Sequence, residues 1–194
     1  MRDWWKPKIE MAKDLIISLL DAEKHDRKAF DCGESALDDY LKKTACQHLN
    51  KGIANTYVLT RRTEPRRVLG FFTLSFVEVD VSEMPVEHRK GLPKSHLPAA
   101  RLARLAIDSR FQGNSYGRLL LVDAMRRVAG AMRQVAGGVG LFVDAKNSKV
   151  AGFYRKFGFI PLHDAPLTLM LPRQTILLAF PHVPPDTPVE NIEG

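Results

Sequence analysis

The chain has 194 residues, of which 45% are apolar and 26% charged, as is typical of one globular domain with a sizeable core. No run of about 18 apolar residues occurs and the N-terminus has no apolar signal stretch, so we expect a cytoplasmic protein without membrane association. Cys32 and Cys46 are too few for a disulfide framework, and His48 near Cys46 has no second ligand pair at zinc spacing, so both are predicted to be structural thiols and no metal is expected.

The first eighty residues are predicted to form strands around one helix. The apolar run Leu15–Leu20 and the β-rich runs Thr56–Thr60 and Val68–Val79 indicate three strands, the last two joined by a hairpin. A turn at Asp31–Glu34 precedes the helix, for which Ser35 is the predicted N-cap. The helix has one apolar face, on which the histidine is better explained by core packing than by ligand binding: Leu37, Tyr40, Leu41, Ala45, His48 and Leu49.

The rest of the chain alternates between strands and helices. The polar loop Asp80–Pro98 contains three prolines and is long enough to be functional. Ala99–Ile107 fits a helix or a strand, and we predict a strand because a glycine-containing turn and the strong helix Gly117–Val135 follow it. The apolar run Val139–Val143 is typical of a strand covered on both faces. A second helix ends at Gly158 and is followed by three predicted closing strands: Ile160–Leu162, Leu167–Leu171 and Thr175–Phe180.

Residues 1–180 are predicted to form a single domain, and the proline-rich tail 181–194 is expected to be disordered. Arg89–Lys156 contains fourteen basic and three acidic side chains, a net charge of +11, whereas the remainder of the chain carries −4. This concentration favours a polyanionic ligand, and a solvated face without a partner is the simpler alternative. The Trp4-Trp5 pair is interpreted either as an exposed partner contact or as a cap on the sheet.

A glycine-containing loop between a predicted strand and a predicted helix is the strongest local motif. The strand ends at Ile107-Asp108, and the loop is Ser109–Gly117. Such a junction directs backbone N–H groups and the positive end of the helix dipole at one point, where a phosphate can bind. Two glycines permit close backbone approach, and Arg110 and Arg118 flank the loop. The loop matches neither a Walker sequence nor a dinucleotide fingerprint, and alone it is equally compatible with an ordinary turn.

Three segments together resemble the GNAT family of acetyltransferases. Arg104–Leu121, which contains the loop, resembles the acetyl-CoA motif of the family, and Asp144–Asn147 with Gly152–Phe159 resembles its second conserved region. Phe30–Gly33 resembles the opening of a GNAT branch that includes the toxins of toxin–antitoxin operons. The resemblance extends over nearly the whole chain, from Leu15 to Phe180.

The resemblance implies an α/β (α+β) GNAT fold: a central mixed, mostly antiparallel sheet of about six to seven strands, flanked by helices and splayed at the acetyl-CoA site. Leu105–Ile107 would present backbone to the acetyl and pantetheine groups, Gln112–Gly117 would hold the pyrophosphate, and Asn147 would hydrogen-bond the pantetheine arm. One departure is Ser115, which replaces a family glycine and would be costly if that position required positive φ. The implied cofactor-binding residues are Leu105, Ala106, Ile107, Gln112, Gly113, Asn114, Ser115, Tyr116, Gly117, Arg118, Asn147 and Tyr154.

Tyr154 is the implied general acid. Its spacing beside Phe153 and Phe157 on an apolar helical face favours a core aromatic, whereas the resemblance places it near the thioester sulfur. A tyrosine, with a pKa of about 10, retains its proton until a leaving thiolate, with a pKa of about 8.5, takes it up. The amide of Ala106 or Ile107 is the implied oxyanion donor. No base stands out in the sequence, which favours an α-amine acceptor, since its pKa of about 7.7–8.0 leaves it partly neutral.

The acceptor leaves three functions open. The branch resemblance and the basic stretch favour a toxin that acetylates the amino acid on aminoacyl-tRNA and so blocks translation. The alternative is an acetyltransferase of a small amine or a protein, and a lesser alternative is a non-catalytic acyl-CoA-sensing or RNA-binding module. The toxin hypothesis implies a ribbon-helix-helix antitoxin as partner, and the family implies a homodimer. The tRNA contacts are predicted at Arg89, Lys90, Lys94, Arg101 and Arg104.

Overall fold

The computed structural model describes residues 14–134 and 137–181. The Trp4-Trp5 pair and the predicted tail beyond residue 181 lie outside the described residues, so both interpretations stay predictions. The described residues form two compact units, the first comprising 14–75 and 103–124 and the second comprising 76–102, 125–134 and 137–181. In this part of the chain, no helix is both long and apolar enough to cross a membrane.

Seven strands form a mixed sheet: β1 (Leu15–Leu19), β2 (Asn55–Arg61), β3 (Gly70–Asp80), β4 (His96–Ile107), β5 (Gly140–Asp144), β6 (Ile160–Pro161) and β7 (Thr168–Pro172). The strand order is β1-β2-β3-β4-β5-β7-β6. The pairs β1–β2, β2–β3, β5–β7 and β6–β7 are antiparallel, whereas β4 and β5 are parallel. The predicted mixed, mostly antiparallel sheet of about six to seven strands is therefore confirmed.

Residues 35–50 are helical throughout, but the middle part of this segment is π-helical: α1 (Ser35–Asp39), the π-segment Tyr40–Thr44 and α2 (Ala45–Asn50). The strong helix predicted from Gly117 begins one residue earlier, at Tyr116, and ends at Gln134. The remaining helical elements include two short 3₁₀ turns: the turn Val81–Glu83, α3 (Val86–Arg89), the turn Ser109–Phe111, α4 (Tyr116–Gln134), α5 (Ser148–Arg155) and α6 (Arg173–Ala179).

In the first unit, an aromatic cluster joins the 35–50 helical segment to the sheet. Phe30 and Tyr40 both pack on Phe71 of β3, with ring centres 5.4 Å and 6.4 Å away. Ala106 of β4 belongs to the same buried cluster. Phe30, the first residue of the GNAT-branch motif, is only 1% exposed, so this motif contributes to the core of the unit.

In the second unit, β5 lies between two partners. Its parallel pairing with β4 joins Ala100–Leu102 to Leu141–Val143, and its antiparallel pairing with β7 extends along the whole strand. The ladder with β5 therefore ends at Leu102, whereas β4 itself continues to Ile107. Buried residues of both strands and of the 81–84 turn form the core of this unit: Val81, Met84, Ala99, Phe142, Leu162 and Met170.

The predicted strand Thr175–Phe180 is wrong, because this segment lies in helix α6 and at its C-cap. Pro172, with φ −61° and ψ 144°, occupies the N-cap, and its fixed φ suits the chain reversal from β7 into the helix. Ile176 and Phe180, four residues apart, are 0% and 4% exposed, whereas Leu178 between them is 69% exposed. A continuous apolar run cannot distinguish these two structures, since either can bury such residues.

Two smaller expectations are also corrected. Glu34, rather than Ser35, is the N-cap of α1, and its carbonyl oxygen accepts the N–H groups of Leu37 and Asp38 without a side-chain cap. The predicted loop Asp80–Pro98 contains a 3₁₀ turn and α3, and β4 already begins at His96. Val81 and Met84 in this segment are buried, so it is anchored to the core of the second unit.

Candidate active site

The loop predicted to bind phosphate connects the end of β4 to the start of α4. After Ile107, a 3₁₀ turn at Ser109–Phe111 leads into Gln112, and α4 begins at Tyr116. Gly113 has φ +83°, and a side-chain carbon added there would meet no atom within 4 Å, so its backbone faces open space. A ligand can therefore approach the main chain of this loop closely.

Ser115 adopts the left-handed backbone conformation that the family glycine would adopt without strain. Its φ is +61°, and within the described residues no other non-glycine residue has a positive φ. Its carbonyl oxygen accepts hydrogen bonds from the N–H groups of Arg118 and Leu119, 3.1 Å and 3.2 Å away, and so starts the helix. Because the first N–H groups of a helix lack intrahelical acceptors, the Ser115 turn directs donors of the 19-residue helix α4 toward an anion.

Asp108 is the buried anchor of the loop. Its side chain is 0% exposed and accepts two hydrogen bonds from the Arg110 guanidinium, from Nη2 at 2.6 Å and Nε at 2.8 Å. It also accepts the backbone N–H groups of Arg110 and Asp31, 3.1 Å and 3.2 Å away. Burial raises the pKa of Asp108, but the Arg110 side chain and the two backbone donors outweigh it and hold the pKa below the ordinary value.

The GNAT-branch motif braces the loop from the other side. The carbonyl oxygen of Asp31 accepts the Ser109 N–H at 2.7 Å, and that of Cys32 accepts Nε2 of Gln112 at 3.1 Å. A third bond joins Nη2 of Arg110 to the carbonyl oxygen of Ala29 at 2.8 Å. The two motifs, separated by about eighty residues, therefore form one hydrogen-bonded unit.

The side chains of the loop are mostly used within the loop itself. Gln112 also donates to the carbonyl oxygen of Ile107 at 3.1 Å, and Asn114 donates to that of Phe111 at 3.1 Å. Tyr116 is buried, with its hydroxyl 3.5 Å from Nη2 of Arg61. The phosphate contacts predicted for Gln112–Gly117 therefore fall to the main chain.

The backbone predicted to contact the acetyl and pantetheine groups lies at the end of β4. Ala106 is buried in the core cluster of the first unit, whereas Leu105 and Ile107 are half-buried. Gly70 of β3 lies so close that a side-chain carbon there would be 2.9 Å from the Ala106 carbonyl oxygen and 2.5 Å from the Ile107 side chain. A side chain at position 70 would therefore displace this segment, which makes Gly70 a support that the sequence analysis missed.

The second unit carries Asn147 and Tyr154, at opposite ends of α5. Asn147 is the N-cap of the helix, because its Oδ1 accepts the Val150 N–H at 3.0 Å. This bond leaves its amide Nδ2, on an exposed side chain, available to donate to a ligand.

Tyr154 is 4% exposed, and its ring packs between Phe153 and Phe159, with centre separations of 5.2 Å and 5.5 Å. Its hydroxyl makes no hydrogen bond to any residue that the structure describes. Burial raises the pKa of Tyr154 above its ordinary value, so the phenol remains protonated. The geometry gives a rigidly packed ring with a neutral hydroxyl that can donate its proton.

The five predicted tRNA contacts are divided between the units and differ in their engagement. In the second unit, Arg101 forms an ion pair with Asp144 at 2.6 Å, and Arg89 donates to the carbonyl oxygen of Ser82 at 2.8 Å. Lys90 and Lys94 are exposed. In the first unit, Arg104 stacks on the ring of Tyr40. Tyr40, predicted only as part of an apolar face, thus contacts a candidate ligand-binding side chain.

The two cysteines are unpaired, and Cys32 is buried in the core of the first unit. Burial, together with the nearby Asp38 carboxylate, raises the pKa of the Cys32 thiol to about 11, so the thiol is unreactive at neutral pH. No group of three His, Cys, Asp or Glu side chains in residues 14–134 and 137–181 is placed to hold a metal ion.

Asp108 and Asp31 are structural residues of the site that the sequence analysis missed. The available signal was the position of Asp108, immediately after a predicted strand and two residues before an arginine. The partner of Asp108 in the 29–33 segment was not visible, because that contact depends on the tertiary fold.

Comparison with known proteins agrees with this architecture. Residues 53–161 match the acetyltransferase (GNAT) domain family. The probable toxin TacT of Sinorhizobium fredii (strain NBRC 101917 / NGR234) is 32% identical over 168 residues, which cover 83% of this chain and 92% of TacT. The tRNA-acetylating toxin of Mycobacterium tuberculosis (strain ATCC 25618 / H37Rv) is 34% identical over 153 residues, covering 77% of this chain and 87% of that toxin.

Solved structures of the toxin AtaT share this fold as well. AtaT complexed with acetyl-methionyl-tRNAfMet superimposes with a TM-score of 0.78 and 36% identity, covering 85% of this chain and 98% of AtaT. AtaT has also been solved with the antitoxin AtaR and acetyl-CoA, with a TM-score of 0.70 and 36% identity over 85% of this chain and 97% of that one. With its domain match, its two sequence relatives and its sheet order, the chain belongs to the GNAT family of acetyltransferases.

Proposed function

We propose that this protein is a toxin that transfers the acetyl group of acetyl-CoA to the α-amine of aminoacyl-tRNA and so blocks translation. The observation that carries the proposal is the braced loop, in which the Ser115 turn presents helix N–H groups and Asp108 fixes the main chain. A preorganised set of main-chain donors suits the pyrophosphate of CoA, because the donors need no reordering when the anion binds.

Binding of acetyl-CoA would use both units of the chain. The main chain of Gln112–Gly117 would hold the pyrophosphate, with Arg118 at the start of the helix. Leu105–Ile107 would pair with the pantetheine arm through backbone groups, and Nδ2 of Asn147 would donate to one of its carbonyl groups. The support for Asn147 is its cap geometry, which fixes Oδ1 on the helix and leaves Nδ2 for the ligand.

The transfer step joins the amine nitrogen to the acetyl carbon and breaks the bond from that carbon to sulfur. The amide N–H of Ala106 or Ile107 would stabilise the negative charge that develops on the carbonyl oxygen. The departing sulfur would take the hydroxyl proton of Tyr154, and the amine would lose its own proton to water. The support for Tyr154 is its buried, neutral phenol, whose proton no described residue accepts.

The choice of acceptor rests on relatives and on charge. The relatives named above are tRNA-acetylating or toxin proteins, and AtaT is solved with acetyl-methionyl-tRNAfMet. The segment Arg89–Lys156 carries a net charge of +11, which suits a polyanionic acceptor. By the same reasoning, the proposal includes a cytoplasmic homodimer neutralised by a ribbon-helix-helix antitoxin, since AtaT and KacT are solved with their antitoxins.

The test is to incubate the purified protein with radiolabelled acetyl-CoA and a full set of aminoacyl-tRNAs. The expected result is label on the aminoacyl group of one or more tRNAs, released from the RNA by mild alkaline hydrolysis of the ester. Uncharged tRNA is the matched control, because it offers the same phosphates without the amine. Polyamines and peptides are assayed in parallel.

Two outcomes would reject the proposal in different ways. Label on peptides or polyamines, with none on any aminoacyl-tRNA, would assign the chain to the small-amine or protein acetyltransferases. Binding of acetyl-CoA without transfer to any acceptor would identify a non-catalytic acyl-CoA-binding module.

A further inference from the structure

We propose that Arg104, held flat against the ring of Tyr40, binds the phosphodiester that precedes the terminal nucleotide of the aminoacyl-tRNA. In this assignment Tyr40 is a positioning residue, and Arg104 sets the place of the acceptor amine relative to the end of β4. The inference rests on the proposed function, because it names the group of the acceptor that the site recognises.

The stack between the two side chains is close. Cζ of Arg104 lies 3.6 Å from the centre of the Tyr40 ring, so the guanidinium is over the aromatic face. The ring itself is only 5% exposed. A guanidinium in this position is restrained by the ring face, and its N–H groups point outward at the edges of the plane.

Tyr40 cannot move easily, since it is packed on all the sides that the described residues show. Its ring stacks on Phe71 at 6.4 Å with an interplanar angle of 22°, and His48 contacts it edge-on at 5.6 Å. Its hydroxyl lies 3.5 Å from that of Thr56. Tyr40 begins the π-helical segment Tyr40–Thr44, an irregularity of the kind that often occurs at functional sites.

Arg104 differs from the other arginines of the site in its partners. Arg101 and Arg110 both form 2.6 Å ion pairs with aspartates. Arg104 is half-buried and makes no hydrogen bond or ion pair with any residue that the structure describes. A restrained, half-buried guanidinium with free edges is suited to bidentate binding of a phosphate oxygen pair.

The position of Arg104 identifies which phosphate it would bind. It lies two residues before Ala106, a distance of about 7 Å along a strand, and the backbone of Leu105–Ile107 is the proposed acetyl site. In an aminoacyl-tRNA the amine is attached through an ester to the terminal ribose, and the nearest anion is the phosphodiester on the 5′ side of that ribose. Free CoA phosphates are instead assigned to the α4 end of the loop.

The experiment compares two small acceptors, a 3′-aminoacyl-adenosine and the same compound with a 5′-phosphate, in wild type and Arg104→Gln. The 5′-phosphate is expected to raise kcat/KM of the wild type about ten- to hundredfold, as for a charge-assisted bidentate contact, and to have little effect in the variant. The KM for acetyl-CoA is expected to be unchanged. Lys24→Gln, which removes one exposed charge far along the sequence and paired only with Asp21, is the matched control.

The role of Tyr40 is tested by ring-preserving and ring-removing changes. Tyr40→Phe keeps the face on which Arg104 stacks and is expected to retain the phosphate effect, whereas Tyr40→Leu is expected to reduce it. Arg104→Lys keeps the charge without the planar fork and is expected to recover only part of the effect. Because Tyr40→Leu can perturb the core, its thermal unfolding is measured, and the two conservative variants provide the decision if it unfolds.

The outcomes separate this inference from the proposed function. If the wild type acetylates both acceptors but Arg104→Gln preserves the phosphate effect, the assignment of Arg104 is overturned while the acetyltransferase function stands. If Arg104→Gln lowers kcat/KM equally on both acceptors, Arg104 acts on something other than the phosphate. If the wild type acetylates neither acceptor and no aminoacyl-tRNA, the proposed function itself has failed.

Discussion

Gln112 donates its side-chain amide to the carbonyl oxygen of Cys32, eighty residues earlier in the chain, over 3.1 Å. The same nitrogen donates to the carbonyl oxygen of Ile107 at the end of β4. One side chain therefore joins three segments that the sequence separates: the Phe30–Gly33 motif, the last residue of β4 and the loop. The glutamine of the family motif has a structural task here, and the anion is left to main-chain donors.

Asp108→Asn is expected to lower the free energy of unfolding by about 2–3 kcal/mol, because a buried carboxylate that accepts four hydrogen bonds is replaced by an amide that presents N–H to Arg110. Chemical denaturation at neutral pH measures this change. Acetyl-CoA binding is expected to weaken as well, since the loop loses its anchor.

The same variant gives a pH test. The pKa of Asp108 is lower in the folded protein than in the unfolded chain, so its stabilisation is fully present above the unfolded pKa of about 3.9 and is lost as pH falls through the folded value. The difference between wild type and Asp108→Asn should therefore narrow below about pH 4. A constant difference from neutral to acidic pH would contradict the ion-pair explanation.

Ser115→Gly is expected to stabilise the protein by about 0.5–1 kcal/mol, because glycine adopts a positive φ without the steric cost that serine bears at +61°. Acetyl-CoA should bind about two- to fivefold more tightly if the strained turn is the part that must be ordered. Thermal unfolding and isothermal titration measure the two effects.

Ser109→Gly is the matched control for this change. Ser109 is in the 3₁₀ turn of the same loop and is not among the described residues with positive φ, so glycine only adds backbone freedom there. It should destabilise by about 0.5–1 kcal/mol. Equal effects of the two glycines, of either sign, would argue against strain at Ser115.

The sequence predicts the strands and the long helix well because their patterns are local. The periodic apolar face of α4 and the β-rich runs of β2 and β3 carry their own signal, and each boundary lies within about two residues of the prediction. The segment Thr175–Phe180 fails because an apolar run of six residues fits either structure, and packing against the rest of the fold decides between them.

The site is predictable in its composition but not in its partners. The glycine-rich loop and Tyr154 are recognisable as residue types, whereas the pairing of Asp108 with Arg110 and the contact of Arg104 with Tyr40 depend on the folded arrangement. Positive φ at Ser115 was stated only as a condition, since a serine in a sequence gives no sign of its backbone angle. Contacts between segments far apart in the chain require the structure.

Tyr154→Phe is expected to reduce kcat about a hundredfold or more, as for loss of a general acid, with the KM for acetyl-CoA nearly unchanged. The fold should be preserved, because the hydroxyl makes no hydrogen bond to the described residues and the ring contacts with Phe153 and Phe159 remain. Steady-state kinetics with aminoacyl-tRNA and thermal unfolding are the measurements. A variant with full turnover would remove Tyr154 from the chemistry.

The pH profile of kcat/KM follows from the two groups that exchange protons. The acceptor α-amine must be neutral, so activity should rise about tenfold per pH unit below its pKa of about 7.7–8.0 and level off above it. Burial raises the pKa of Tyr154 above its ordinary value of about 10, so the phenol keeps its proton and no falling limb should occur below about pH 10. Rates are measured over short times, because the aminoacyl ester hydrolyses in alkali, and circular dichroism checks the fold at each pH. A decline between about pH 8 and 9.5 with the fold intact would mean that the proton donor is a more acidic group than Tyr154.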